Sequence, residues 1–118
     1  MSPEEWPSEW MRSVLGVCVL RTLLDGPNYG YAITQNLTAA GLGTVKGGTL
    51  YPLLGRLEES GFVEVEWRPG EGGPGRKYFS LTDQGRAHAR SMAELWADFT
   101  KTTRELTDGA LEKRRELT

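Results

Sequence analysis

The chain is 118 residues long, 38% apolar, and sets 14 basic against 16 acidic side chains for a net charge of -2. That suffices for one compact domain with a modest core and argues against both disorder and a uniformly basic nucleic-acid binder, so any contact with DNA has to come from a local cluster of cations. One cysteine excludes a disulfide framework and a thiolate metal cage. No apolar run approaches the ~20 residues that span a bilayer, so the chain reads as soluble and cytoplasmic, with no membrane partner.

Met1 to Pro7 is acidic and lacks the apolar core of a signal peptide; it reads as a flexible end, although Trp6 is costly to leave in water. Ser8 to Leu24 reads as a helix, with Ser8 as candidate N-cap and Glu9 adding charge at the first turn. Trp10, Val14, Val17, Leu20 and Leu24 follow helical spacing, while Leu15, Val19 and Leu23 make the helix apolar on more than one side. Such a helix needs several partners. Asp25-Gly26-Pro27-Asn28 breaks it.

Tyr29 to Ala40 reads as a second helix, directing Ile33 and Leu37 inward and closed by Gly41-Leu42-Gly43. A third, from about Gly47 to Ser60, buries Leu50, Leu53, Leu54 and Leu57 at helical spacing. Phe62 to Trp67 and Lys77 to Leu81 alternate as strands. The connection between them, Arg68 to Arg76, holds four Gly and two Pro; it reads as too long for a tight turn and mobile at its tip. Thr82 then caps a long helix whose stripe of Ala89, Met92, Leu95, Trp96, Phe99, Thr103 and Leu106 alternates threes and fours, the pattern of a seam against other helices. Asp108-Gly109 marks its expected end, with 109–118 a second flexible end.

The fold class that follows is mainly α with a small antiparallel β-hairpin. It divides into a winged helix-turn-helix over 8–81 and a long C-terminal helix over 82–108.

Catalysis has little to stand on. The only imidazole, His88, has no nucleophile near it in sequence, the acids are scattered, and Cys18 with His88 cannot supply a metal's ligand set. The chain reads as a binder rather than an enzyme, with no metal and no cofactor.

The residues suited to DNA are few. Lys46 stands just before the third helix, where a cation and the free N–H groups of a helix start both suit a phosphate. Thr49 and Tyr51 fall in the first turns, the end by which such helices enter the major groove. Arg56 serves either DNA or a surface ion pair with Glu59. On the wing, Arg68, Arg76 and Lys77 are matched by Glu64, Glu66 and Glu71, which leaves the hairpin's ends, Arg76 and Lys77, as the phosphate contacts.

Tyr29-Gly30-Tyr31, Gly48-Thr49-Leu50-Tyr51-Pro52, Arg56-Leu57-Glu58 with Gly61, and Arg76-Lys77-Tyr78 with Leu81-Thr82 and Gly85 follow one another at intervals that resemble the PadR family of transcriptional regulators. The resemblance spans about Val14 to Leu106. It implies a homodimer clasped by C-terminal helices, with two winged heads on a pseudo-palindromic operator, and it adds Tyr29 and Tyr31 to the DNA-binding set. The small branch of the family, with one C-terminal helix, includes multidrug-sensing repressors in which a planar aromatic compound stacks between tryptophans. That implies a stacking role for Trp96 and a lining role for Trp10, Val14, Val17, Met92 and Phe99. Two departures stand out: Lys46-Gly47 replaces the family's frequent Ser-Pro, losing a helix cap, and Thr100 replaces an acidic residue that would meet a cationic drug. The expected function is a DNA-binding repressor released by a planar ligand. The other readings are a winged scaffold that serves protein interaction and a regulator with no small-molecule effector.

Overall fold

The computed structural model describes residues 5–70 and 72–117. The elements run α1 (Ser8–Leu23), β1 (Asn28–Tyr29), α2 (Gly30–Leu37), α3 (Gly47–Glu59), β2 (Val63–Gly70), β3 (Gly73–Leu81) and α4 (Asp83–Leu117). Helices α2 and α3, with the turn between them, form the helix-turn-helix; β2 and β3 form the wing. The core lies where α1, α2 and α3 meet the inner face of the sheet, and it encloses Val19, Ile33, Leu37, Leu50, Leu54 and Phe79. Their spacing explains the enclosure: Leu50, Leu54 and Leu57 share one face of α3, as Ile33 and Leu37 share one face of α2.

The expected hairpin is a three-stranded antiparallel sheet in the order β1-β3-β2. Asn28 and Tyr29, assigned by sequence to a turn and the second helix, pair with Phe79 and Tyr78. This bridge is tertiary, so local periodicity carries no sign of it. Tyr29 is extended at φ -107°, and α2 starts only at Gly30. At its other end α2 stops at Leu37, and a wide π turn over Thr38–Leu42 follows, with Gly41 at φ +107°. The wing is also longer than expected. The register continues from Val63↔Leu81 to Gly70↔Gly73 with one irregularity between Arg68 and Gly70, so most of the expected connection is strand. Backbone pairing between the two arms, rather than side-chain alternation, extends it through the Gly and Pro positions.

Helix ends differ from the sequence reading as well. Pro7 occupies the N-cap position of α1, its carbonyl accepting from the amides of Trp10 and Met11, and Ser8 is the first helical residue. The extended geometry of Pro7, at ψ 135°, starts the helix one residue earlier than a Ser8 cap would. Of the N-terminal segment read as a flexible end, residues 1–4 lie outside the described chain, but Trp6 is anchored: its Nε1 donates to the Gly41 carbonyl at 2.8 Å. Helix α4 runs through Asp108-Gly109 to Leu117. One interior glycine costs about 1 kcal/mol relative to Ala, and the strong helix formers that follow, Ala110 to Arg115, continue the helix past it.

The Thr82 cap forms as expected. Its hydroxyl donates to the Gly61 carbonyl at 2.7 Å, and its Oγ1 accepts from the Gly85 amide at 3.0 Å. Gly85 lets α4 approach the Phe62 carbonyl so closely that a Cβ there would collide with it. His88, one turn on, stacks on the Phe62 ring at 3.9 Å and 3°. The imidazole is thereby a packing element at the joint between wing and α4.

Candidate nucleic-acid interface

Helix α3 begins without a side-chain cap. Lys46 is extended at φ -81°, and its carbonyl accepts from the amides of Thr49 and Leu50, while the amides of Gly47 and Gly48 precede any helical acceptor they could reach. Pro52 lies inside the helix and has no N–H for the Gly48 carbonyl, which leaves that acceptor on the exposed side. Among the described residues, and apart from the helix's own neighbouring backbone, nothing comes within 4 Å of where a Cβ on Gly48 or Gly55 would stand. The outward ridge of α3 is therefore low, and its longer side chains stand to either side.

On one side, Tyr51 turns toward α2 and the wing. Its ring lies over Gly47, and its hydroxyl rests on Gly30, where a Cβ would collide with it. Tyr29, Gly30, Tyr31, Tyr51, Trp67, Gly75, Arg76 and Lys77 together line a cleft of about 500 Å³. Five residues chosen from sequence thus meet in one place: Tyr29, Tyr31, Tyr51, Arg76 and Lys77. Trp67, 68% exposed, belongs with them and was missed. Strand alternation carried its signal, because it faces the same way as Val63 and Val65 but beyond the point where α3 covers the sheet.

The wing's charges are held by aromatic rings. The Arg76 guanidinium lies 4.5 Å from the centre of the Tyr29 ring, Tyr29 meets Tyr78 at 5.3 Å, and the Arg68 guanidinium lies 4.4 Å from the centre of the Tyr78 ring. Arg68 is also paired with Glu66 at 3.4 Å. Among the described residues, Arg76 and Lys77 have no acidic partner, so they remain available to an anion; Glu71 lies outside the described residues.

On the other side of α3, Lys46, Thr49 and Arg56 line a second cleft of about 510 Å³, with Trp6 and Arg12 across from them. The surface ion pair between Arg56 and Glu59 does not form. The eight sequence candidates for DNA thus divide between two clefts that flank one helix.

The candidate ligand residues are less gathered. Trp96 and Phe99 meet at 5.5 Å on α4, with Met92 one turn before, and Val14 and Val17 are half-buried on α1, which lies against α4. Trp10, 61% exposed, meets Trp6 at 6.5 Å. Burial pushes the Cys18 thiol up, which disfavours a reactive thiolate on the same helix. Among the described residues no cluster of His, Cys, Asp and Glu suits a metal ion, and no helix is long and apolar enough to cross a membrane.

A three-helix head with a two-armed wing and an open-faced α3 defines the winged helix-turn-helix class. Residues 19–91 match the model of the transcriptional regulator PadR-like family, and the chain belongs to that family. It is 35% identical over 91 residues to Transcriptional regulator Rv3488 of Mycobacterium tuberculosis, a match that covers 74% of this chain and 83% of that one. Among solved structures it is similar to a PadR family transcriptional regulator from Eggerthella lenta (TM-score 0.73, 35% identity, covering 83% of this chain and 85% of that one). It is also similar to a PadR-like transcriptional regulator from Bacillus cereus (TM-score 0.74, 28% identity, covering 83% and 95%). The protein is a PadR-family transcriptional regulator with a winged-helix fold.

Proposed function

We propose that the protein is a homodimeric repressor that sets α3 of each head into the major groove of a pseudo-palindromic operator. The observation that carries this reading is the cleft in which the start of α2, Tyr51 of α3 and, from the wing, Arg76 and Lys77, unpaired among the described residues, converge. Base edges are read from the first turns of α3, by Thr49 and Tyr51, while Lys46, Arg56, Arg76 and Lys77 neutralise phosphates. Tyr29 and Tyr31 border the same groove. The low ridge of Gly48, Pro52 and Gly55 lets the helix backbone sit deep in it.

Dimerisation has its support in α4, where Leu95, Phe99 and Leu106 are 58%, 57% and 74% exposed, a wasteful arrangement unless a second copy covers them. Release from the operator follows when a small planar molecule, stacked on Trp96 and bordered by Trp10, Val14, Val17, Met92 and Phe99, binds one dimer geometry better than the other.

The test is a gel shift on the chain's own promoter, repeated with a planar DNA-free dye as effector mimic. Sequence-selective retention supports the reading, and equal retention of a scrambled duplex overturns it. Quenching of tryptophan fluorescence by the dye, lost in Trp96→Ala, supports the ligand site; unchanged quenching in that variant places it elsewhere.

A further inference from the structure

The cleft on the far side of α3 has cations from two elements. Lys46 and Arg56 come from the start and last turn of α3, and Arg12 comes from the second turn of α1, across from them. Among the described residues Glu5 is the one acid along its walls, and none of the three cations is ion-paired to another of them. Three cations against one acid among the described lining residues leave the cleft net positive, which favours an anion there. Trp6 forms a wall of the cleft, and its Nε1–H bond to Gly41 fixes that wall to the turn that precedes α3. Arg12 is exposed and contributes nothing to the core, which leaves its placement to be explained by what it faces.

We propose that this cleft is a second phosphate site, in which Arg12 with Lys46 and Arg56 grips the DNA strand opposite to the one held by Arg76 and Lys77. The inference rests on the DNA-binding reading above. A major groove is bordered by two phosphate backbones, and a helix lying in it has one on either flank. Here α3 presents Tyr51 toward the wing cleft and Thr49, Pro52 and Arg56 toward the Arg12 cleft. The phosphodiester of each strand thus meets its own set of cations, and Arg12 extends the protein's grip to α1, outside the helix-turn-helix itself.

The test is a salt titration of binding to a duplex from the chain's own promoter, read by fluorescence anisotropy, for wild type, Arg12→Gln, Arg12→Lys and, as control, Arg90→Gln, exposed on the side of α4 away from Leu95, Phe99 and Leu106. Each phosphate contact contributes about 0.9 to the slope of log affinity against log salt. Arg12→Gln is expected to flatten the slope by about that amount, Arg12→Lys to restore it and Arg90→Gln to leave it unchanged. Single neutral methylphosphonates placed along each strand supply the second readout. The Arg12→Gln loss should vanish at one phosphate, on the strand opposite to the one where the Arg76→Ala loss vanishes. A wild-type slope in Arg12→Gln, with Arg76→Ala still flattening it, overturns this inference and leaves the DNA reading intact. A wild-type protein that shows no salt-dependent, sequence-selective binding overturns both.

Discussion

The hydroxyl of Tyr51, on the first half of α3, rests against the α-carbon of Gly30 at the start of α2. Two sequence motifs separated by twenty residues are in this way one contact, and it fixes how far α3 stands from α2 and the wing. Gly30→Ala puts a methyl group where the phenol lies. Overpacking of this kind costs about 1–3 kcal/mol, and urea denaturation should show such a loss. In a Tyr51→Ala background the space is vacant, so the same change should cost far less. Additive losses in the double variant would contradict the contact.

The joint between head and tail should be less forgiving. The atom that a Cβ on Gly85 would meet is the backbone carbonyl of Phe62, which also accepts from the Thr82 amide at 3.1 Å and cannot swing aside as a side chain would. Gly85→Ala is expected to destabilise the fold by about 3 kcal/mol or more, the upper end for overpacking. Thr82→Ala, which removes a cap, should cost about 1–2 kcal/mol, with Thr82→Ser recovering most of it. Thermal or chemical melts rank the three, and a Gly85→Ala protein as stable as wild type would refute the close approach.

The wing cations divide by partner. Arg76→Ala and Lys77→Ala should each flatten the salt dependence of operator binding by about 0.9. Arg68 is already paired with Glu66, so Glu66→Gln should tighten binding by removing an acid and freeing that guanidinium. Anisotropy titrations at several salt concentrations check both. Weaker binding of Glu66→Gln would mean that the ion pair holds the wing in its DNA-binding shape.

The exposed side of α4 gives a prediction about assembly. Placing a carboxylate at Phe99, with Phe99→Glu, buries a charge in any interface formed there, a cost large enough to separate subunits. Sedimentation of wild type should report twice the chain mass of 13.1 kDa, and that of the variant a single chain with unchanged helical circular dichroism. A variant that remains dimeric places the interface on another face.

Much of this was legible in the sequence because local signals and tertiary demands agree there. The leucines of α3 share a face by spacing alone, and the Thr82 hydroxyl finds the Gly85 amide as capping rules require. The misreadings in the sheet share one cause, that backbone pairing with a distant segment overrides local pattern. Asn28 and Tyr29 become a strand because β3 lies beside them, and the Gly and Pro of the wing are drawn into register by the opposite arm. At the candidate interface, residue type and place in a helix or strand singled out Lys46, Tyr51, Arg76 and Lys77. Spacing could not reveal that they belong to two clefts, or that Arg12 and Trp6 close the second, because those neighbours come from α1 and the segment before it, more than thirty residues earlier.

The most direct test of the account is the stoichiometry and salt dependence of binding to a duplex carrying the chain's own promoter. The account predicts two chains per duplex, retention lost on a scrambled sequence, and affinity that falls steeply and linearly on a log–log plot as salt rises. One chain per duplex, or affinity indifferent to both sequence and salt, would contradict it.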